Sequence, residues 1–330
     1  MSTTYDIVAI GNAIVDIIGR CDDAYLAKHS CPKGSMSLVD DAKMSALYAG
    51  MGPGIEISGG SAANTAVGVA SFGGTAAFIG KIADDDFGRI FAHDIKTSGV
   101  AFQATAQKGT SPTSRSLILV TPDGERTMNT LLGISTELGA AELDPVIIAA
   151  AKVLYLEGYL FDRPSAKAAF RQAAEIARKA GGKVALTLSD GFCVDRHRDE
   201  FLALIKTDID IVFANEHEIT ALYQTADFDD AVRRIASDAR LAVLTRSAKG
   251  SVVVEGGNST NIAVDPVSHV IDTTGAGDLY AAGFLYGYTQ GFSHAKSGRL
   301  AAIAAAEIIS HTGARPATRL NALASQKGVL

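Results

Sequence analysis

The feature that most constrains the fold is a regular alternation of short apolar strand patterns with longer helical patterns in the second half of the chain. β-Branched and apolar runs predict strands that end at Glu157, Leu188 and Phe213, and the helix after the second of them is predicted at residues 196–206. Such alternation is typical of a parallel sheet covered by helices on both faces. Ligands of such sheets bind beyond the carboxyl ends of the strands, so a site is expected in the loops that follow them.

The first half of the chain departs from this rhythm. Two strand patterns, at residues 5–11 and 14–18, open the chain. A hairpin is predicted at residues 115–129, with its turn at Pro122-Asp123-Gly124. The last part of the chain predicts two alanine-rich helices around Gly291.

Charge and cysteine content exclude several classes of protein. With 30 basic and 36 acidic residues the net charge is −6, the wrong sign for a broad surface that grips nucleic-acid phosphates. The sequence predicts neither a signal peptide nor a membrane span, because no basic segment precedes an apolar one and no apolar run is long enough. Cytoplasmic location is expected, because metal-ligand spacing and a disulfide framework are lacking among Cys21, Cys31 and Cys193.

The sharpest motif is the string Asp-Thr-Thr-Gly-Ala-Gly-Asp at residues 272–278, which runs directly into a helical pattern at 279–288. Glycines at the start of a helix let backbone N–H groups approach an anion, and the helix dipole favours negative charge there. Asp278 would then lie beside a bound phosphate, where it suits a general base that takes a proton from an attacking hydroxyl. Taken alone, the string is equally consistent with a plain helix cap.

A second glycine-dense segment, Gly59-Gly60-Ser61-Ala62-Ala63-Asn64, lies about 210 residues upstream. Together the two strings resemble the paired signatures of the ribokinase-like (PfkB) family of carbohydrate and nucleoside kinases. Residues 11–16, 80–88 and 215–218 also match, so the resemblance spans almost the whole chain.

The resemblance implies a three-layer α/β/α ribokinase-like fold with a mainly parallel central sheet and a small β-sheet lid. The large nucleotide-binding domain would comprise residues 1–12, 58–101 and 133–330, and the lid residues 13–57 and 102–132. That placement accounts for the hairpin. The implied activity is phosphate transfer from ATP, with Mg²⁺, to a hydroxymethyl group under a lid that excludes water.

By resemblance, Asp278 is the base, and the backbone of four consecutive residues forms the anion hole: Thr274, Gly275, Ala276 and Gly277. Asn215 and Glu218 match an N-x-x-E motif that orders Mg²⁺ through water, since Mg²⁺ keeps several waters and uses few carboxylates. The alternative for this pair is a helix N-cap with a capping box.

Further phosphate and nucleotide contacts are implied less specifically. Arg126 resembles a lid arginine that reaches phosphate, although an exposed hairpin arginine is also a common surface residue. Three residues match a strand end that approaches the nucleotide: Thr245, Ser247 and Gly250. The family usually has glycine where Arg246 or Ser247 stands, so this chain departs from the pattern there. Asp272 and Thr274 match carbonyl donors of a monovalent cation site, with potassium as the candidate ion.

The acceptor pocket is implied at the other glycine signature. Asp16 and Asn12 lie on the first strand pair, and an acidic side chain just beyond an apolar run is costly unless it meets hydroxyls. The resemblance places sugar hydroxyls there, with Gly59 and Gly60 allowing backbone contact and Asn64 supplying an amide. The alternative for these three is a loop followed by an ordinary helix start.

Three segments resemble adenosine kinases more than fructokinases: residues 34–39, 158–161 and 186–192. Purine-stacking walls and pocket contacts are accordingly expected from Met36, Ser37, Tyr159 and Phe192. Leu38 and Leu131 are equally consistent with core or lid packing.

The function expected is ATP-dependent phosphorylation of the 5′-hydroxyl of a purine nucleoside by direct in-line transfer. A sugar kinase acting on ribose, fructose or 2-keto-3-deoxygluconate shares every catalytic residue and remains the alternative. A non-catalytic nucleoside or sugar sensor is disfavoured, because Asp278, Gly275, Gly277 and Glu218 are all retained. The expected partners are therefore small molecules, and the chain is expected to be a monomer or a homodimer.

Overall fold

In the computed structural model, which describes residues 5–103, 107, 109 and 111–330, the strands form two separate sheets. The expected segments 1–12 and 102–132 therefore lie partly outside the described residues. The fourteen strands are β1 Tyr5–Ile10, β2 Ile14–Arg20, β3 Met36–Leu38, β4 Gly54–Gly59, β5 Ala76–Ile79, β6 Val100–Ala101, β7 Ser114–Val120, β8 Arg126–Leu131, β9 Ala151–Glu157, β10 Lys183–Thr187, β11 Ile211–Asn215, β12 Leu241–Thr245, β13 Ser251–Glu255 and β14 Asn258–Ile262.

Nine strands form the large sheet in the order β14-β13-β12-β11-β10-β9-β1-β5-β6. Every pairing from β12 to β6 is parallel, and β13 and β14 add an antiparallel hairpin at one edge. The expected mainly parallel sheet is therefore confirmed. Its parallel strands bring their carboxyl ends to one edge, which positions the loops that follow them together.

Helices cover both faces of this sheet. They are α1 Asp23–Lys28, α2 Asp41–Gly50, α3 Ser61–Ser71, α4 Asp86–Thr97, α5 Pro145–Ala149, α6 Pro164–Lys179, α7 Gly191–Thr207, α8 Glu216–Tyr223, α9 Phe228–Asp238, α10 Ala276–Thr289, α11 His294–Ile308 and α12 Leu320–Gln326. Successive residues of β1 alternate between the two cores: Ile7 and Ala9 pack with α3, α10 and α11, whereas Val8 and Ile10 pack with α5 to α9. Within the described ranges, no helix combines the length and apolarity needed to cross a bilayer.

The small sheet has the order β3-β8-β7-β2-β4, and the predicted hairpin forms its β7-β8 pair. One face carries Val15, Ile17 and Leu117, which are buried in the same core as Met44 of α2. The opposite face carries a row of residues paired in register: Asp16, Ser116, Thr130 and Leu38. β4 runs on to Gly59, beyond the expected boundary at residue 57, and the division into two domains stays a prediction.

Two helix predictions need correction. α7 begins at Gly191 instead of residue 196, because the Asp190 side chain accepts a hydrogen bond from the Cys193 N–H (2.6 Å) and caps an extra turn before a non-helical residue at His197. The C-terminal region contains α12 in addition to the two predicted helices, with Leu320 and Ala324 buried against the core.

Candidate active site

A cavity of about 360 Å³ lies between the small sheet and the carboxyl ends of the large sheet's strands. The small sheet contributes Ile14, Asp16, Ser116 and Thr130, and the large sheet contributes residues at the ends of β10, β11 and β12. The glycine signature at 273–278 and the start of α3 also line it, together with Tyr159, Ser189, Glu218 and Tyr280. The site is therefore at the edge of the sheet where the strand order and polarity place it.

The turn before α10 has the conformation that an anion hole requires. Gly275 caps the helix with φ +77°, a left-handed conformation that favours glycine, and a Cβ there would lie 2.9 Å from the Ala314 Cβ. A Cβ at Gly277 would meet nothing within 4 Å, so this glycine leaves open space beside the helix start. The first N–H groups of any α-helix lack intrahelical partners, and here they lie at the cavity.

Asp278 lies in the first turn of α10 and is held by two residues of α3. Ser61 Oγ donates to one carboxylate oxygen (2.6 Å) and Asn64 Nδ2 to the other (2.9 Å). Burial raises the pKa of Asp278 above its ordinary value, and both hydrogen bonds act against that rise. Asn64 also lines the cavity, so its expected contact with the acceptor stays a prediction, while its amide N–H group here orients the expected base.

Asp16 faces Asp278 across the cavity from the small sheet. Burial raises the pKa of Asp16 to about 7, Arg315 acts against this rise, and the charge of Asp278 adds to it. The Asp16 carboxylate lies over position 59, where a Cβ would be 2.2 Å from Oδ2. Gly59 is thus required by the approach of Asp16, and it does not line the cavity itself.

Gly60 does line the cavity, and its conformation explains why the position is glycine. Its φ is +96°, and a Cβ would lie 2.2 Å from the Asn12 carbonyl oxygen. The close approach of these two backbone segments fixes the crossing from the small sheet into α3.

Asn12 does not line the cavity, because it is buried in a hydrogen-bonded network beneath it. Its Nδ2 donates to Glu157 Oε1 (2.6 Å) and its Oδ1 accepts from Ser135 Oγ (2.9 Å). Glu157 also accepts from the Ala62 N–H (2.8 Å), and burial raises its pKa to about 7. The Asn12 amide is engaged by these partners, and its expected contact with sugar hydroxyls stays a prediction.

The residues expected to form walls around a purine base divide into two groups. Tyr159 lines the cavity, where its backbone N–H donates to Ser189 Oγ (3.1 Å) and its hydroxyl donates to the Ser189 carbonyl oxygen (3.2 Å). Met36, Ser37 and Phe192 do not line it; Met36 is 51% exposed and Phe192 is 79% exposed. They lie on β3 and in the first turn of α7, next to elements that do contribute to the lining.

The N-x-x-E pair forms the capping box that was the alternative interpretation. Asn215 Oδ1 accepts from the Glu218 N–H (2.8 Å), and the Glu218 carboxylate accepts from the Asn215 N–H (3.0 Å). Both residues also line the cavity, so the cap does not exclude a role in the site. Burial raises the pKa of Glu218 to about 7.

The residues expected near the nucleotide are only partly brought together. Thr245 and Thr274 line the cavity, whereas Ser247 and Gly250 do not. Gly250 (φ +82°) is required by a close approach to strand β14, since a Cβ would be 2.2 Å from the Ile262 carbonyl oxygen. Arg246, one of the two positions where glycine was expected, pairs with Glu216 (2.9 Å) and stacks 3.8 Å from the centre of the Phe228 ring.

Arg126 connects the small sheet to the glycine signature. Its guanidinium forms an ion pair with the buried Asp272 and donates to Thr274 Oγ1 (3.3 Å). Asp272 also accepts from the N–H groups of Thr274 (3.0 Å) and Gly313 (2.9 Å). Because its carboxylate is fully engaged, only the backbone of Asp272 is free for the expected cation role.

Sequence reasoning missed several residues that line or support the site. Glu157 is the last residue of β9 and Ser189 follows β10, so the rule that ligands bind at the carboxyl ends of strands could have found them. Ser116 and Thr130 share a hydrogen bond (2.9 Å) on the cavity face of the small sheet, but isolated hydroxyl residues in a strand carry no sequence signal. Arg315 carried no signal either.

Comparisons with known proteins place the chain in one family. Residues 56–320 match the family described as pfkB family carbohydrate kinase. A solved adenosine kinase from Sinorhizobium meliloti is 52% identical, with a TM-score of 0.91 over 98% of this chain and 99% of that chain. A probable sugar kinase from Rhizobium etli CFN 42 is 48% identical, with a TM-score of 0.92 and complete coverage of both chains. A probable chloroplastic fructokinase from Arabidopsis thaliana is 32% identical over 69% of this chain, which spans 61% of that protein's length.

These findings confirm the resemblance drawn from the two glycine signatures, and the structural neighbours confirm the ribokinase-like α/β fold. The family match extends over both signatures and most of the strands between them. The chain belongs to the pfkB family of carbohydrate kinases and transfers phosphate from ATP to an alcohol group.

Proposed function

We propose that the acceptor is a purine nucleoside, phosphorylated on its 5′-hydroxyl. The observation that carries this proposal is the in-register row across the small sheet, in which Asp16, Ser116 and Thr130 lie on the cavity face and lead to Leu38 at the sheet edge. Paired residues in adjacent strands share a face, so Leu38 and, two residues earlier, Met36 lie on the face that the polar residues occupy.

This row matches the two halves of a nucleoside. Asp16, Ser116 and Thr130 offer a carboxylate and two hydroxyls to the ribose. Leu38 is 63% exposed and Met36 51% exposed, and large exposed apolar side chains beside a polar cavity are what a base would cover. A free sugar would leave them exposed. Tyr159 supplies an aromatic ring at the cavity wall.

In the proposed reaction, the acceptor's 5′-hydroxyl oxygen attacks the γ-phosphorus of ATP while Asp278 takes the hydroxyl proton. The new O–P bond forms as the bond from the γ-phosphorus to the β,γ-bridging oxygen breaks, which releases ADP. Ser61 and Asn64 hold both carboxylate oxygens of Asp278 and so fix the direction in which the base points. The backbone N–H groups that begin α10 stabilise charge on the transferred phosphoryl group.

Glu218 and Asn215 fit the role expected for Mg²⁺. The Glu218 carboxylate lines the cavity while it accepts hydrogen bonds from Asn215, an arrangement suited to holding the ion's water shell. Among the described residues no group of three or more His, Cys, Asp or Glu side chains that could hold a metal ion occurs. When bound, Mg²⁺ supplies charge neutralisation on the ATP phosphates.

The lid role of the small sheet and the potassium site follow as parts of this proposal. We infer that the small sheet closes over the acceptor, since the Arg126–Asp272 pair already joins it to the turn at residues 272–278. Potassium would be held by the backbone of Asp272 and Thr274, beside that same turn.

The test is a coupled ADP-release assay with Mg·ATP and six acceptors: adenosine, guanosine, inosine, cytidine, ribose and fructose. It is run in potassium and in sodium, so that the cation proposal is tested separately. We expect kcat/KM for a purine nucleoside to exceed that for fructose by at least about a hundredfold, because the base adds buried contact area. Turnover of ribose or fructose alone would favour the sugar-kinase alternative, which the probable sugar kinase and the fructokinase relative support.

A pair of variants tests where the purine base of the nucleoside binds. Leu38→Asp places a charge on the face that a base would cover, and it should raise KM for adenosine about tenfold or more. Ile55→Asp is the matched control, because Ile55 is a comparably exposed residue (68%) on the opposite edge strand of the same sheet. Equal increases in KM for adenosine in the two variants would contradict the placement of the purine base at Leu38.

A further inference from the structure

The segment between α11 and α12 carries a cation that the expected mechanism does not use. The Arg315 guanidinium donates three hydrogen bonds with all of its nitrogens: Nε to the Ser58 carbonyl oxygen (2.8 Å), Nη2 to Ser58 Oγ (2.8 Å) and Nη1 to the Ala63 carbonyl oxygen (3.0 Å). Ser58 lies on β4 of the small sheet and is fully buried, and Ala63 lies in the first turn of α3. Arg315 is therefore hydrogen-bonded to both β4 and α3, the two elements that Gly59 and Gly60 connect.

The two residues before Arg315 contact the turn at residues 272–278, which is called the anion-hole turn below. The Gly313 N–H donates to Asp272 Oδ2 (2.9 Å), and Ala314 packs so closely on Gly275 that no Cβ fits there. One tripeptide therefore touches the anion-hole turn, the helix that holds Asp278 through Ser61 and Asn64, and the small-sheet strand that carries Ser58.

Arg315 also lies among carboxylates. Asp94 of α4 accepts hydrogen bonds from the Ser58 N–H (2.9 Å) and from Ser58 Oγ, so Ser58 is shared between Arg315 and Asp94. Burial lowers the pKa of Arg315 to about 10, and three carboxylates act against that shift: Asp94, Asp16 and Asp278. Arg315 is therefore charged at neutral pH. The other charged groups that face Asp16 or Asp278 are Arg126, Glu157 and Glu218.

We propose that Arg315 is a positioning residue for phosphoryl transfer, which holds the small sheet, α3 and the anion-hole turn in one arrangement and balances the charge of Asp16 and Asp278. It does not line the cavity, so it acts through these groups and not by contact with the acceptor. The planar fork of a guanidinium can reach Ser58 and Ala63 together, whereas a lysine ammonium lacks this geometry.

The experiment compares Arg315→Gln with Arg315→Lys in steady-state assays from pH 5 to 9, using whichever of adenosine and fructose the wild-type enzyme phosphorylates faster. This inference rests on the kinase activity and not on the nucleoside preference, so failure of one leaves the other standing. Arg315→Gln should raise acceptor KM and lower kcat about tenfold each. It should also shift the acid limb, the fall of kcat/KM on the acid side of its pH profile, to a pH about one unit higher. A nearby positive charge that favours ionised Asp278 is lost in this variant.

Arg315→Lys separates charge from geometry. The acid limb should stay within about 0.3 pH unit of its wild-type position, since the positive charge remains. Acceptor KM should still rise about tenfold, since the planar guanidinium with its several donors is lost. The control is Arg319→Gln, which removes an exposed arginine four residues on and should leave all parameters unchanged.

Several outcomes would overturn the proposal. A folded Arg315→Gln enzyme with wild-type KM and acid limb, and only a lower melting temperature, would reduce Arg315 to a structural residue. If Arg315→Lys and Arg315→Gln shifted the acid limb by the same amount, the proposal that the charge of Arg315 balances Asp16 and Asp278 would be contradicted. If neither variant folds, Ser58→Ala deletes only the shared hydroxyl; it should raise acceptor KM several-fold with an unmoved acid limb, and a wild-type KM would contradict the proposal.

Discussion

At the scale of single residues, the site is defined by carboxylates that the fold removes from water. Asp278 is hydrogen-bonded through both oxygens, yet burial still raises its pKa. Asp16 faces it without a comparable pair of donors, and its pKa rises to about 7. A base with a raised pKa accepts a proton more readily near neutral pH, so the same burial that destabilises the charge also suits it to catalysis.

Asp278→Asn tests the role of the base. The amide retains the shape of the side chain but cannot take a proton, so kcat should fall by roughly a thousandfold or more. Binding should persist, and the acceptor should still raise the melting temperature of the variant. Ser61→Ala, which removes one hydrogen bond to the base, serves as the graded comparison and should lose less activity. A variant with near wild-type kcat would remove Asp278 as the base.

Asp16→Asn tests the cost of the buried charge. Because the folded-state pKa of Asp16 is raised to about 7, the folded protein favours the protonated form. The stability that this group contributes is present below its ordinary pKa near 3.8 and is lost as pH rises through 7. Asparagine stays neutral, so the variant should gain melting temperature over wild type at pH 8 relative to pH 5, by on the order of 2 °C or more. An equal difference at both pH values would contradict the raised pKa.

At the scale of secondary-structure elements, the strand ends and helix starts create the site. β2, β7 and β8 present polar residues on the face opposite the one that packs on α2, and this alternation follows from strand geometry. α3 and α10 meet through their first turns, so one helix orients the base that the other carries. The Arg126–Asp272 pair then joins the small sheet to the start of α10.

Arg126→Gln tests that connection. Loss of a charge-assisted contact at the phosphate-binding turn should raise KM for ATP about tenfold, which corresponds to roughly 1.4 kcal/mol. Arg115→Gln is the matched control, because Arg115 is a similarly buried arginine of β7 that pairs with Asp41 (2.8 Å) and not with Asp272. It should change stability without changing KM for ATP. Equal effects on KM would show that Arg126 acts only through the stability of the sheet.

Sequence patterns predicted most of these elements because their signals are local. The alternation after residue 152, the Pro122-Asp123-Gly124 hairpin and the glycine at position 275 each depend on backbone preferences that short segments display. The start of α7 was placed too late because Asp190, a polar residue in a loop pattern, acts as a helix cap. Its side-chain hydrogen bond extends the helix by a turn that apolar periodicity does not reveal.

The parts of the site that sequence could not predict depend on long-range contacts. Asn12 was expected at the acceptor, but Glu157, 145 residues later, engages its amide. Asn64 does line the cavity, but its hydrogen bond to Asp278, 214 residues away, was not predicted. Arg315 reaches Ser58 over a separation of 257 residues. No periodicity or motif encodes such pairs, because they exist only once both sheets have assembled.

At the scale of the whole molecule, two sheets of different size enclose one polar cavity. The nine-stranded sheet and its helices position the turn at residues 273–278, and the five-stranded sheet brings Asp16 and its row of partners to the same place. Under the proposed function, the large sheet would hold ATP, and the small sheet, with Tyr159 at the cavity wall, would select the acceptor.

The central claim is that the γ-phosphate of ATP passes directly to the 5′-hydroxyl of a purine nucleoside. The most direct measurement is ³¹P nuclear magnetic resonance of the products formed from ATP, Mg²⁺ and adenosine. The account predicts equal amounts of ADP and adenosine 5′-monophosphate, with no free phosphate. Release of ADP with inorganic phosphate alone, or product formation with fructose but not with adenosine, would contradict it.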